Sequence, residues 1–116
     1  MDKMNIRKAA MIGCGFVGAS SAFALMQSGI FSEMVMIDAD HAKAEGEAMD
    51  LSHGLPFARP VKIYAGDYDD IVDAGIIIIT AGANQKPDET RLDLIHKNVE
   101  IYKQIIPEIA KRGCEG

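Results

Sequence analysis

The feature that most constrains this chain is a glycine cluster, Gly13-Cys14-Gly15-Phe16-Val17-Gly18, set between an apolar run and a helical pattern. Lys8 to Ile12 reads as a short strand, and Ala19, Ala22, Phe23, Met26 and Ile30 follow at helical spacing. A G-x-G-x-x-G run in that context gives each glycine a separate task. Gly13 permits the tight turn, Gly15 lets backbone approach a pyrophosphate, and Gly18 lets the helix pack on the strand. The helix N-terminus then offers N–H groups and a positive dipole end to an anion.

Gly29 suits a helix C-cap, and Glu33 to Ile37 is a second apolar run without period-2 polarity, as expected of a strand buried on both faces. It ends at Asp38, about twenty residues beyond Gly18, where a carboxylate accepts hydrogen bonds from adenosine ribose hydroxyls. That carboxylate repels a 2′-phosphate, and Ala39, Asp40 and His41 supply no arginine to offset it. The expected cofactor is therefore NAD rather than NADP.

Asp40 can N-cap a second helix running to about His53, before Gly54 and Pro56 stop it. Val61 to Ala65 is a weaker third strand. Ile76 to Thr80 is the strongest strand signal, because four β-branched residues in a row favour a fully covered central strand. A polar stretch, Asn84 to Thr90, leads into a long helix. Its expected apolar stripe is Leu92, Ile95, Val99, Tyr102, Ile106 and Ile109, with a kink or restart at Pro107. This alternation predicts an α/β fold of Rossmann type: a doubly wound parallel sheet in one domain, without internal repeat or linker.

The balance of 12 basic against 17 acidic residues gives a net charge of -5, which offers no field for nucleic acid or an anionic membrane. The longest near-apolar run, Ala74 to Ala83, is too short to span a bilayer, and the polar N-terminus lacks the h-region of a signal peptide. Cys14 and Cys114 have no metal-site or CxxC spacing, so no metal is expected. Sparse cysteine suits a reducing compartment, and a cytoplasmic location is the default expectation.

The stretch Thr80-Ala-Gly-Ala-Asn-Gln-Lys-Pro-Asp-Glu-Thr-Arg-Leu-Asp-Leu94, with the glycine cluster and Met49-Asp-Leu-Ser-His-Gly54, closely resembles bacterial L-lactate dehydrogenases of the lactate/malate dehydrogenase family. The resemblance covers the whole chain but only about the first third of such a subunit. It implies the first four or so strands of an incomplete NAD-binding domain over residues 1–116, with the C-terminal catalytic domain absent. The implied reaction interconverts pyruvate and L-lactate in fermentation or glycolysis, in a homotetramer. The 116-residue chain alone is expected to be inactive and either poorly soluble or self-associated. The alternatives are a malate dehydrogenase and a noncatalytic NAD-binding module.

The resemblance makes Arg91 the residue that polarises the substrate carbonyl from a closing lid, and Gln85 the residue that meets the substrate side chain. A neutral amide at position 85 suits pyruvate, whereas the second carboxylate of oxaloacetate calls for arginine. Thr90 and Asp93 have capping-box spacing, which puts Arg91 at the positive end of a helix dipole, where a cation gains nothing locally. The residues alone also allow solvation of Arg91 and a plain turn at 84–87. Asp88 stands where many relatives carry glycine, and a positive φ there would be costly.

Also by resemblance, Val17, Lys43, Tyr68, Gly82 and Ala83 line the NAD site. Read unaided, Val17 is core, Lys43 a solvated helix face, Tyr68 a half-buried turn neighbour and Gly82 a strand exit. His41, His53 and His96 read as solvated or capping groups rather than a proton donor. The family's histidine donor, its aspartate partner and its carboxylate-binding arginine fall later than Gly116.

Overall fold

The computed structural model describes residues 4–54, 62–82 and 86–116. In chain order it holds β1 (Asn5–Ile12), α1 (Phe16–Gln27), β2 (Glu33–Ile37), α2 (His41–Gly54) and β3 (Lys62–Ala65). A 3₁₀ turn (Tyr68–Ile71), β4 (Ala74–Ile79) and α3 (Arg91–Ala110) follow. The four strands form one parallel sheet in the order β3-β2-β1-β4. This is the expected Rossmann-type arrangement, in which each parallel pair needs a crossover connection.

Side-chain alternation along β1 and β2 explains the two packed faces. Ala9, Met11, Met34 and Met36 point to the layer built by Ala22 and Met26 of α1 and Ala44, Ala48 and Leu51 of α2. Ala10, Ile12, Val35 and Ile37 point the other way, where they meet Ile71, Ala74 and Ile105 of α3. The sheet is thus sandwiched at its centre, which is why Ala9 to Ile12 and Met34 to Ile37 read as unbroken apolar runs. Gly29 closes α1 with φ +75, as its position suggested.

Register decides where a site can form. Ile12 of β1 is level with Ile37 of β2 and with Ile79 of β4. The chain therefore leaves these three strands at a common height, and the turns after them share one rim.

Several sequence expectations change. The full cover expected of the strand Ile76 to Thr80 is not seen: among the described residues β4 pairs only with β1, and Ile76 is 41% exposed. Its β-branched run packs on both faces, Ile78 beside the layer of α1 and α2 and Ile77 and Ile79 beside that of α3. The stripe assigned to α3 is likewise turned. Leu92, Ile95, Val99 and Ile106 are exposed, whereas Ile105 is buried and Ile101 and Ile109 pack beside it. α3 carries two apolar rows, and the row with i,i+4 spacing through Ile101, Ile105 and Ile109 is the one that meets the sheet.

Pro107 does not restart α3, which runs to Ala110. A proline there forfeits one backbone bond in the final turn, and Lys111 N–H still donates to Pro107 O at 3.0 Å. Phe23 and Ile30, expected on the packed face of the first helix, are exposed. The short third strand is described from Lys62, since position 61 lies outside the described residues.

At the opposite end of the strands, Lys8 is buried at 4% exposure. Its ammonium donates to Asp70 O and Asp73 Oδ1, each at 2.6 Å, and lies 3.5 Å from Glu33 Oε2, which also accepts from the Tyr64 hydroxyl. Burial alone lowers the Lys8 pKa, but its interactions with Asp73 and Tyr64 more than offset it, and the net direction is upward. The ion pair is therefore fully formed below the ordinary value of 10.5 and fades only as pH climbs through the raised folded value. Lys8→Met keeps the apolar stem but leaves the Asp70 carbonyl and Asp73 carboxylate without their donor. It should lower the stability measured by urea unfolding at pH 7 by about 2 kcal/mol, against less than about 0.5 for exposed Lys103→Met.

Candidate functional site

The common rim is built from three turns. After β1, Gly13 adopts φ +104, a conformation that penalises any side chain, and a Cβ there would meet Ala81 N at 2.6 Å. Gly13 N–H donates to Ile37 O at 2.7 Å and Cys14 N–H to Asp38 Oδ2 at 2.8 Å. The other Asp38 oxygen accepts from Asp40 N–H at 2.9 Å. On the opposite side, Thr80 N–H donates to Ile12 O at 2.9 Å. The glycine turn is thus sewn to the ends of both neighbouring strands.

Gly15 serves as the N-cap of α1, with no side-chain cap and no acidic residue in the first turn. Apart from its own neighbours along the chain, nothing lies within 4 Å of a Cβ built on Gly15, so the backbone there faces open space. An uncapped helix end beside open space is what an anion requires. Gly18 sits behind the turn, where a Cβ would fall 2.1 Å from Gly13 O. Each glycine of the run therefore has a separate geometric reason.

The rim encloses a cleft of about 790 Å³, within the range of small-molecule and cofactor sites. Among the residues singled out from the sequence, Gly13, Gly15, Asp38, Lys43, Tyr68 and Gly82 line it. Gly18 supports it from behind. Val17 is neither core nor lining but 63% exposed beside the turn. Arg91 is the first residue of α3, exposed and outside the lining. Ala83 and Gln85 lie outside the described residues.

The capping box expected from Thr90 and Asp93 is present. Thr90 Oγ1 accepts from Asp93 N–H and Asp93 Oδ2 from Thr90 N–H, each at 3.1 Å. Thr90 backbone donation holds the Asp93 carboxyl below its usual range. Asp88 carries no strain, because no described non-glycine residue has positive φ.

Sequence reasoning missed what α3 contributes. Ile101, Gln104, Ile105 and Glu108 form one wall of the cleft. The i,i+4 pairs Ile101/Ile105 and Gln104/Glu108 were the available signal, hidden by the competing apolar row. Arg112 fastens this wall by donating to Glu108 Oε2 at 2.7 Å and Asp69 Oδ1 at 3.0 Å, with its guanidinium 5.6 Å from the Tyr68 ring centroid. Arg112, with help from Lys111, holds the Glu108 carboxyl below its ordinary range. Burial, followed by the nearby Glu108 charge, raises the Tyr68 phenol, which therefore stays neutral.

Burial and the Asp38 charge push the Cys14 thiol up to about 11, so it packs rather than reacts. His41 pairs with Glu45 at 3.0 Å on the surface, and His53 and His96 are exposed. None of the three lines the cleft. Among the described residues no group of three or more His, Cys, Asp or Glu could hold a metal, and no helix is long and apolar enough to cross a membrane.

A family profile described as the lactate/malate dehydrogenase NAD-binding domain matches residues 7–116. The chain belongs to this family. It is 56% identical over 110 residues to an L-lactate dehydrogenase of Priestia megaterium, covering 95% of this chain and 35% of that protein. The structure of a lactate dehydrogenase from a Medee basin deep-sea metagenome library superposes with a TM-score of 0.87 at 49% identity, covering 97% of this chain and 36% of that one. A malate dehydrogenase of Cryptosporidium parvum gives a TM-score of 0.82 at 30% identity, over 92% of this chain and 34% of that one. The chain thus spans about a third of the length of these relatives.

The residues present fit NAD. The open backbone at Gly15 and the uncapped start of α1 accommodate a pyrophosphate, and Asp38 stands at the end of β2 with oxygen lone pairs to spare beyond its two backbone bonds. Asp38 also holds the glycine turn through Cys14 N–H, and Asp38→Asn keeps one acceptor oxygen for that bond while removing the charge and the second acceptor. We expect NADH binding, followed by fluorescence titration, to weaken by between about tenfold and a hundredfold, since one carboxylate with charge-assisted bonds is lost. A weakening below about twofold would mean that the Asp38 charge does not hold the cofactor.

Proposed function

We propose that this chain is the NAD-binding portion of an L-lactate dehydrogenase that interconverts pyruvate and L-lactate. The observation that carries this reading is the cleft itself, with Gly15, Asp38, Lys43 and Tyr68 on one rim, in a chain 56% identical to an L-lactate dehydrogenase. Gly13 and Gly15 present backbone to the pyrophosphate. Asp38 takes the adenosine ribose hydroxyls, with Lys43 and Tyr68 toward the adenosine end. Gly82 forms the floor near the nicotinamide ribose, and the family resemblance assigns Ala83 to the same role. When bound, NADH supplies the hydride delivered to the ketone carbon.

The remaining chemistry falls to residues on and beyond the segment after β4. Arg91, exposed at the start of α3, reaches the substrate when that segment closes, and its guanidinium stabilises the negative charge developing on the carbonyl oxygen. Gln85 meets the substrate methyl, a neutral partner that leaves a second carboxylate unpaired and so disfavours oxaloacetate. No histidine lines the cleft, so we assign the proton donor to the two thirds of the relatives' length that this chain does not span. Within this reading residues 1–116 are an incomplete NAD-binding domain, and the whole enzyme is a cytoplasmic homotetramer of pyruvate fermentation or glycolysis.

The deciding experiment measures the intact mass of the protein from its native source together with NADH oxidation by pyruvate and by oxaloacetate. A mass well above 12.5 kDa with pyruvate preferred is expected. Oxaloacetate preference would make it a malate dehydrogenase, and a 12.5 kDa protein that binds NADH without turnover would be a noncatalytic NAD-binding module. In the active enzyme Arg91→Gln should lower kcat by at least about a hundredfold while changing NADH affinity little, as for loss of a group that acts in the transition state.

A further inference from the structure

We infer that Thr80 is a positioning residue for the cofactor, acting through a single peptide plane that joins it to Asp38. The inference rests on reading the cleft as the NAD site. The peptide unit between Gly13 and Cys14 is held at both ends by side chains from different strands. Its carbonyl oxygen accepts from the Thr80 hydroxyl at 3.0 Å, and its N–H donates to Asp38 Oδ2 at 2.8 Å. Thr80 follows β4 and Asp38 follows β2, so the plane is pulled from the two sides of β1 at once.

This matters because the peptide lies one residue ahead of Gly15, whose backbone faces the open cleft. Gly13 at φ +104 has the rotational freedom of glycine, and nothing in its own chemistry prevents the following peptide from turning over. A flipped peptide would aim its carbonyl oxygen at the Asp38 carboxylate, which would repel it, and so would displace the carboxylate read as the ribose partner. The Thr80 hydroxyl and Asp38 carboxylate each favour the same orientation, one as a donor and the other as an acceptor. The hydroxyl also lies 4.0 Å from Met11 Sδ, a much weaker acceptor than the Gly13 carbonyl.

The same contact accounts for the third glycine of the run. A Cβ at Gly18 would lie 2.6 Å from Thr80 Oγ1 as well as 2.1 Å from Gly13 O. Position 18 therefore leaves room for the bond between Thr80 and Gly13, besides bringing α1 close to the sheet. Thr80 thus links the end of β4, from which the segment leading to Gln85 and Arg91 departs, to the carboxylate expected to hold the ribose.

The test compares Thr80→Val, which keeps the shape and removes the donor, with Thr80→Ser, which keeps the hydroxyl. Both are expressed from the native reading frame so that the protein keeps its natural extent. NADH dissociation constants are read by fluorescence titration, and exchange of the Cys14 amide is read by hydrogen–deuterium exchange. The valine variant should bind NADH about fivefold more weakly and exchange the Cys14 amide faster, while the serine variant stays within about twofold of the parent on both. Should the valine methyls prevent folding, Thr80→Ala makes the same comparison against Thr80→Ser. Equal affinity in the parent and the variant lacking the hydroxyl would overturn the inference, as would a serine variant as weak as the valine one. A parent protein that folds but does not bind NADH would instead overturn the reading of the cleft, and the inference with it.

Discussion

The structure depends on the register that holds β1 between β2 and β4. Ile12, Ile37 and Ile79 end level, so the turns that follow them meet instead of diverging. A one-residue slip would turn Ala9 and Met11 toward α3 and Ala10 and Ile12 toward α1, exchanging the two packed faces. It would also separate Gly13 from its partners on both sides. Burial of the central strands and construction of the rim are therefore one constraint.

The two ends of the sheet solve different electrostatic problems. At one end Lys8 is buried among Asp73, Glu33 and the Asp70 carbonyl, a closed network that pins β1 to the turn before β4. At the other end the strands finish in backbone groups and one carboxylate, with the start of α1 left uncapped. The first end satisfies its polar groups internally, as buried groups must be. The second leaves the first N–H groups of α1 and the spare lone pairs of Asp38 to a cleft, where a ligand can complete them.

Much of this was legible in the residues. The run Gly13 to Gly18 and the carboxylate of Asp38 state a strand, a turn and a helix with an anion site between them, because few residue types permit that backbone. The capping pair Thr90 and Asp93 located the start of α3 for a similarly local reason. Local rules failed where two answers were locally equal. α3 carries two apolar rows, and periodicity cannot say which one meets a sheet that the rest of the chain builds. Likewise, four consecutive isoleucines describe a good strand without saying how many neighbours it has.

What the sequence alone determined is the local chemistry: where backbone can turn, which helix end is open to an anion, and which carboxylate waits at the end of β2. Only the tertiary structure decided that α3 closes the cleft with Gln104 and Glu108, that Lys8 is buried, and that Thr80 reaches the carbonyl of Gly13. The physical reason is range. A turn or a cap is set by neighbours along the chain, whereas Thr80 and Gly13 are far apart in sequence and meet only because two strands align.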